Sequence, residues 1–324
     1  MTFILYTFIA LLTAIIAYKI FRYSTNGKIQ ATDKFVLVTG CDSGFGRLTA
    51  LKLDQLGCYV FAGCLTQRGI DGLRKIATKR LHPFMLDITN AEDIARAVQI
   101  VTQTLPDDQG LWGIVNNAGV SGSGLIEWVP IERYKKVTEV NLFGSVAITT
   151  AFLPLVKKSR GRIVNIGSIL GRISTAGCSA YSISKYGLMA FSDALRREMK
   201  YFGVTVHTVE PGYFRTNMIC GGALERETLQ LYNNLDDQTK KFYSEEYVNK
   251  LLEDIRIYVQ QASSDLNLVA ETVADALLST RPDYHYLIGF ESKLMALIAL
   301  LPTSWSDYLF SQFFTIPLPA ENNL

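Results

Sequence analysis

Cysteine is scarce in this chain and histidine scarcer. The 324 residues hold five cysteines, Cys41, Cys58, Cys64, Cys178 and Cys220, and three histidines, His82, His207 and His285. No two cysteines form a C-x-x-C pair and none stands at metal-ligand spacing from a histidine, so no metal is expected. An odd, scattered set also argues against a disulfide framework and for a reducing compartment, each thiol serving as a small apolar side chain. The histidines are read as structural. An excess of one charge is lacking too: the net charge is +2, without a long basic patch or an acidic tail, so nucleic acid is not an expected partner. The sequence carries no internal repeat and no low-complexity stretch.

The N-terminus lacks charge altogether from Thr2 to Tyr18. Extended by Ile20 and Phe21, the run is about long enough to cross a bilayer core, which takes roughly 20 helical residues. A cleaved signal peptide would put a basic region before such a run and a small-residue cleavage site after it. Here Lys19, Arg22 and Lys28 all follow the run and no A-x-A appears, so an uncleaved single-pass anchor over residues 1–22 is expected. The positive-inside rule then leaves the domain that follows in the cytosol. Residues 23–33 read as a linker and 34–290 as one large domain with a lid inserted at 213–262. Residues 291–324 form an apolar C-terminal segment that Pro302, Ser304, Ser306 and Asp307 break, which disfavours a second span.

Apolar side chains make up 48% of the chain, enough for a sizeable core. Short β-branched runs at 35–39, 58–64, 81–86, 111–115, 162–166, 204–209 and 284–288 read as strands. Between them, stretches such as 47–56, 69–77, 131–156 and 181–201 read as helices, and Ile94, Ala97, Val98 and Val101 mark another by a 3.6-residue stripe. Strand–helix alternation predicts an α/β fold, a doubly wound parallel sheet of Rossmann type covered on both faces.

Two stretches carry chemistry. Gly40–Gly46, GCDSGFG, is a tight turn between the first strand and its helix. Such a turn aims backbone N–H groups and the positive helix end at a phosphate. Ser168–Lys185 holds a serine, then Tyr181, then Lys185 four residues on. On a helix the i, i+4 pair shares a face, and an ammonium beside a phenol favours the phenolate. A phenol so tuned could exchange a proton with an alcohol, and the Ser168 hydroxyl could hold the same oxygen. Taken alone, Y-x-x-x-K is a common pattern and an ordinary amphipathic helix explains it.

In combination these stretches resemble the short-chain dehydrogenases/reductases. Thr39-Gly40-x-x-x-Gly44-x-Gly46, Asn116-Asn117-Ala118-Gly119, the Ser168, Tyr181 and Lys185 spacing, and Pro211-Gly212 match that family in order over residues 35–216. Thr39–Gly46, Cys64-Leu65-Thr66 and the run from Tyr284 to Tyr308 are similar to its membrane-bound retinol and hydroxysteroid dehydrogenase branch. The resemblance implies an oxidoreductase moving a hydride between a nicotinamide cofactor and an alcohol or carbonyl carbon, with Ser168, Tyr181, Lys185 and Asn141 as catalytic residues. Asn141 would anchor a water linking Lys185 to solvent. The implied cofactor contacts are Thr39, Gly40, Asp42, Ser43, Gly44, Phe45, Gly46, Asp87, Asn117, Ala118, Gly119, Tyr181, Lys185, Pro211, Gly212 and Thr216. For Asp87, capping of a helix entry is a competing reading.

Asp42 would repel a 2′-phosphate, so NAD is the expected cofactor, with NADP left open because the usual acidic residue ending the second strand is missing. The expected substrate is a small apolar alcohol or ketone, a retinoid or hydroxysteroid by resemblance, met at a membrane, the endoplasmic reticulum. Tyr213, Phe214, Met218, Trp305, Phe310, Phe313 and Phe314 are candidate wall residues, and a homodimer is left open. The competing readings are an NADPH-dependent carbonyl reductase of lipids and an inactive lipid- or nucleotide-binding membrane scaffold.

Overall fold

The β-branched run Phe35–Thr39 forms strand β1, buried at all five positions. Six more strands join it: β2 (Tyr59–Cys64), β3 (Leu81–Met85), β4 (Gly113–Asn116), β5 (Arg162–Ile166), β6 (Thr205–Pro211) and β7 (His285–Ile288). Every pairing is parallel, in the order β3-β2-β1-β4-β5-β6-β7. The computed structural model behind this description covers residues 25–313 together with Tyr6, Thr7, Ala10, Thr13, Ala14, Ala17 and Phe21. Apart from those positions, the anchor expected over 1–22 lies outside the described residues, as do 314–324 with Phe314.

In chain order the helices are α1 (Gly44–Leu56), α2 (Gln67–Arg74), α3 (Ala91–Thr104), α4 (Ile131–Thr138), α5 (Ser145–Ser159) and α6 (Ser179–Met199). Then come α7 (Ala223–Asn233), α8 (Asp237–Lys240), α9 (Glu245–Gln261), α10 (Asn267–Leu278), α11 (Phe290–Ile298) and α12 (Thr303–Phe313). Alternate residues of β1 face opposite layers. Val36 and Val38 pack with Leu53 of α1, Leu73 of α2 and Val273 of α10. Phe35 and Leu37 pack with Ala97 of α3, Phe152 of α5 and Leu195 of α6. Burying each large side chain contributes roughly 1.5–3 kcal/mol, which makes this double-sided core the main stabilising term.

The helix expected over 131–156 is interrupted. A π-helical turn, Glu139–Gly144, joins α4 to α5 and contains Asn141, whose amide is bonded outside the helix. Among the described residues, Ile131–Ser159 is also the stretch long and apolar enough to cross a membrane, with 39% of its window buried. Ile148, Phe152 and Val156 on it are fully buried in the layer against the sheet, so it serves as a covering helix.

The segment read as a linker is docked rather than free. Ile29 N donates to Leu278 O at 2.6 Å, Gly27 N to Thr280 Oγ1 at 2.8 Å, and Lys28 pairs with Asp275 at 2.5 Å. Its polar side chains find partners in the last turn of α10 and on the turn that follows it, a tertiary match that local composition does not announce. The five cysteines are all free thiols, three of them buried.

Candidate active site

Apart from Asn141, Tyr181 and Lys185, which lie on helical segments, the expected motifs fall at the carboxyl ends of strands. The glycine turn follows β1, Asp87 follows β3, Asn117–Gly119 follows β4, Ser168 follows β5, and Pro211–Thr216 closes β6. Strand order reverses between β1 and β4, the switch point where open α/β sheets form their ligand crevice.

The glycine turn is fixed by its neighbours. Gly40 and Gly44 have φ of 71° and 59°, a region that favours glycine. A Cβ on Gly46 would sit 2.3 Å from both Asn117 Nδ2 and Gly40 O, so only glycine allows β1 and β4 to close here. Thr39 and Asn117 do the lacing. Thr39 Oγ1 accepts from Asn117 N at 3.0 Å and Ala118 N at 3.1 Å, and Asn117 Nδ2 donates to Thr39 O at 2.9 Å. These residues shape the cradle from within.

The cradle suits a dinucleotide. Ser43 is the N-cap of α1, yet its hydroxyl makes no cap bond and is free for a phosphate oxygen. The space beside Gly44 is open up to the Thr216 methyl, 3.8 Å from where a Cβ would be, which sets the Thr216 turn across from the glycine turn. Asp42 reaches the end of β2. Its carboxylate accepts from Leu65 N at 2.7 Å, Thr66 N at 2.9 Å and Thr66 Oγ1 at 2.5 Å. A carboxylate thus stands at the end of β2 although the strand itself supplies none. Phe45 packs edge-on against Phe214, ring centroids 5.6 Å apart. Asp87 Oδ1 accepts from Thr89 N at 2.9 Å and Thr89 Oγ1 at 2.7 Å, while Asn90, not Asp87, caps α3.

The proton-handling groups meet on the other side of the crevice. Ser168 and Lys185 are buried, and Asn141 is fully so. α6 begins at Ser179, so Tyr181 lies in its first turn and Lys185 one turn later on the same face. Lys185 Nζ lies 5.5 Å from the Tyr181 ring centre and donates to Ile166 O at 2.8 Å, which ties the helix to β5 just before Ser168. The expected acidification of the phenol is not found. Burial pushes Tyr181 up to about 12, against the lowering effect of a Ser168 hydrogen bond. Burial also brings Lys185 down to about 8. Desolvation penalises either charge, and the lysine spends its bond on a main-chain carbonyl.

Asn141 Oδ1 accepts from Val120 N at 2.8 Å, and Nδ2 donates to Val120 O at 3.1 Å and Ser184 Oγ at 3.1 Å. Both amide protons are engaged, so the side chain clamps the Val120 turn onto α6. Ser184 Oγ in turn donates to Tyr181 O at 2.7 Å.

Sequence reasoning missed an apolar wall and a charged pair. Ile169, Leu170, Ile173 and Met295 form a buried cluster against which Tyr181 and Tyr213 pack. Tyr258 of α9 meets Tyr213 edge-on at 4.5 Å. The pair is Arg172 with Glu210, the latter fully buried. A charge wedged between the strand expected over 204–209 and Pro211-Gly212 was the available signal for Glu210, which the structure places inside β6. Of the expected wall residues, Tyr213 and Phe310 join this cluster and Phe214 packs behind the glycine turn, whereas Trp305 is exposed.

Comparison with known proteins gives the same picture. The model of the family described as short chain dehydrogenase matches residues 34–221. The chain is 43% identical over 291 residues to retinol dehydrogenase 16 of Rattus norvegicus, covering 89% of this chain and 90% of that protein. It is 43% identical over 291 residues to 17-beta-hydroxysteroid dehydrogenase type 6 of Bos taurus, with coverage of 89% and 90%. A solved short-chain dehydrogenase from Streptomyces avermitilis matches with a TM-score of 0.68 at 27% identity, over 86% of this chain and 96% of that one. Another from Burkholderia cenocepacia, in complex with NADP, matches in fold with a TM-score of 0.66 at 22% identity, over 89% and 100%.

Proposed function

The chain belongs to the short-chain dehydrogenase family, and from that membership we propose an NAD-dependent dehydrogenase of an apolar alcohol, a retinoid or hydroxysteroid, working at a membrane. The observation that carries the proposal is the meeting of Ser168, Tyr181 and Lys185 beside a glycine turn whose serine N-cap is left unspent. When bound, the nicotinamide ring supplies the carbon that takes or gives the hydride. In oxidation Tyr181 Oη takes the alcohol's proton as the C–H hydride leaves and the carbonyl forms; in reduction it returns the proton. Ser168 Oγ bonds the substrate oxygen and orients it. Lys185 offsets the phenolate charge, and Asn141 holds the Val120 turn against α6. Gly40–Gly46, Pro211–Gly212 and Thr216 would hold the dinucleotide.

The apolar wall of Leu170, Ile173 and Met295 supports an apolar substrate. The Asp42 carboxylate at the end of β2 supports NAD, because a 2′-phosphate there would meet like charge. The N-terminal run supports an anchor over 1–22 at the endoplasmic reticulum, with the domain at 34–290 and its lid at 213–262 in the cytosol. The full chain in detergent, given retinoid and steroid alcohols, should form NADH. Tyr181→Phe should lower kcat at least about 100-fold, the loss of a general base, with an unchanged circular dichroism spectrum. Undiminished turnover in Tyr181→Phe refutes the tyrosine's role, and tighter binding of NADPH than NADH refutes the NAD assignment.

A further inference from the structure

A carboxylate with no part in proton transfer is buried between the two halves of the site. Glu210 lies in β6, fully buried, immediately before Pro211. Arg172 caps the 3-10 turn Ile169–Gly171, which itself begins at Ser168. The two form a fork: Arg172 Nη2 donates to Glu210 Oε1 at 3.0 Å and Nε donates to Oε2. Thr208 Oγ1 donates to Oε1 at 2.9 Å, and His285 Nδ1 of β7 lies 2.9 Å from it. Behind the carboxylate, Ser292 Oγ of α11 donates to Glu210 O at 2.9 Å. Burial by itself would raise the Glu210 carboxyl, but hydrogen bonds from His285 and Arg172 outweigh it and hold the group below its ordinary value.

A buried ion pair adds little stability over apolar side chains of similar volume, so stability is a weak account of this one. A bidentate fork does fix geometry in two directions. Here it spans from the turn that presents Ser168 to the strand end that leads into Pro211–Thr216. The glycine before Ser168 completes the packing: Glu210 Cγ lies 3.5 Å from where a Gly167 Cβ would be, and Gly167 N donates to Val209 O at 2.8 Å. The substrate oxygen depends on the first turn and the nicotinamide on the second. Hydride transfer requires the reacting atoms to be aligned at about 3–3.5 Å, so slack between the turns is costly in rate.

We propose that Arg172 and Glu210 are positioning residues that hold the Ser168 turn and the Pro211–Thr216 turn in register for hydride transfer. The proposal rests on the dehydrogenase reading of the site. Its test uses the full chain in detergent with NADH bound, as Arg172→Lys, as Glu210→Gln, and as the double variant Arg172→Met/Glu210→Met, which leaves no charge unpaired. Hydrogen exchange, kcat, the primary deuterium isotope effect and Tm are measured. Arg172→Lys should speed exchange at 211–216 as well as in its own turn, and Glu210→Gln should do so at 167–173. In both, kcat should fall about 10- to 100-fold with a larger isotope effect. In the double variant Tm should return towards the parent while kcat stays low. Exchange that rises only in the mutated residue's own turn overturns the coupling, whether or not the chain turns over alcohol. Recovery of kcat together with Tm in the double variant reduces the pair to a structural role. Failure of the dehydrogenase reading shows separately, as no NADH formed by the parent chain from any retinoid, steroid or aliphatic alcohol.

Discussion

At the scale of single residues, burial rather than pairing governs the proton chemistry. A tyrosine one turn from a lysine suggests an acidified phenol, because spacing reports proximity and says nothing of solvent. In the folded chain the Tyr181 phenol stands at about 12 and the Lys185 amine at about 8. Both shifts favour the neutral form. Alcohol oxidation needs the phenolate, whose fraction grows tenfold per pH unit below the phenol's pKa. Carbonyl reduction needs the phenol, which is in excess throughout, and the ammonium, which is lost as pH rises through about 8. We therefore expect log(kcat/KM) for oxidation to climb with pH at a slope near one up to about 8 and less steeply beyond, as Lys185 loses its charge. Reduction should be flat at lower pH and fall above about 8. Steady-state profiles in both directions check this; an oxidation rate already independent of pH near about 7 contradicts it.

At the scale of elements, the segment 213–262 proposed as a lid is the part whose attachment would decide substrate access. Its helices α7 and α9 dock on the loop that follows β4 through Trp128, which meets Tyr232 of α7 at 5.5 Å and Tyr247 of α9 at 6.4 Å between ring centres, with Tyr243 just before α9 at 5.1 Å. Glu227 of α7 bonds Arg133 and also accepts from Ser121 Oγ at 3.2 Å. Tyr243 Oη donates to Glu127 Oε2 at 2.6 Å. Trp128→Ala should cost about 3–5 kcal/mol of this docking. The expected outcome is faster hydrogen exchange over 223–261, a several-fold rise in alcohol KM, and unchanged exchange in β1, β4 and β5. Equal acceleration in the sheet would mean that lid and sheet unfold together. The sheet was legible in sequence because buried parallel strands read as continuous β-branched runs, Phe35–Thr39 above all. The glycine turn was legible because its backbone admits few residues. The π-turn at Asn141, the docking of Lys28 on Asp275 and the Arg172–Glu210 fork were not. Each depends on a partner from about 20 to 250 positions away, beyond any local pattern.

At the scale of the whole molecule, apolar surface gathers at both ends of edge strand β7. The turn entering β7 carries Arg281 at 5.9 Å from the ring of Phe21, which lies at the end of the apolar N-terminal run just past Lys19. The chain leaving β7 becomes α11 and α12. Met295 of α11 is buried against the site wall, while Leu297 is 63%, Leu300 81%, Trp305 65% and Tyr308 66% exposed. A helix apolar on both faces needs a second apolar partner. On the proposed membrane reading, with Phe21 near the turn that enters the same strand, a bilayer leaflet would be that partner and the substrate would pass from lipid to Met295 and the cleft. Trp128 is buried and Trp112 half-buried, so Trp305 reports on this face. In phosphatidylcholine vesicles containing brominated lipid, the full chain should lose a component of tryptophan fluorescence that Trp305→Phe lacks. Leu297→Glu/Leu300→Glu should raise KM for a vesicle-borne alcohol several-fold, with KM for a short water-soluble alcohol unchanged. Trp305 quenched by aqueous iodide but not by brominated lipid places the face in water and refutes the leaflet. Protection from both quenchers means that protein covers it, a second copy of the chain, and refutes the leaflet equally.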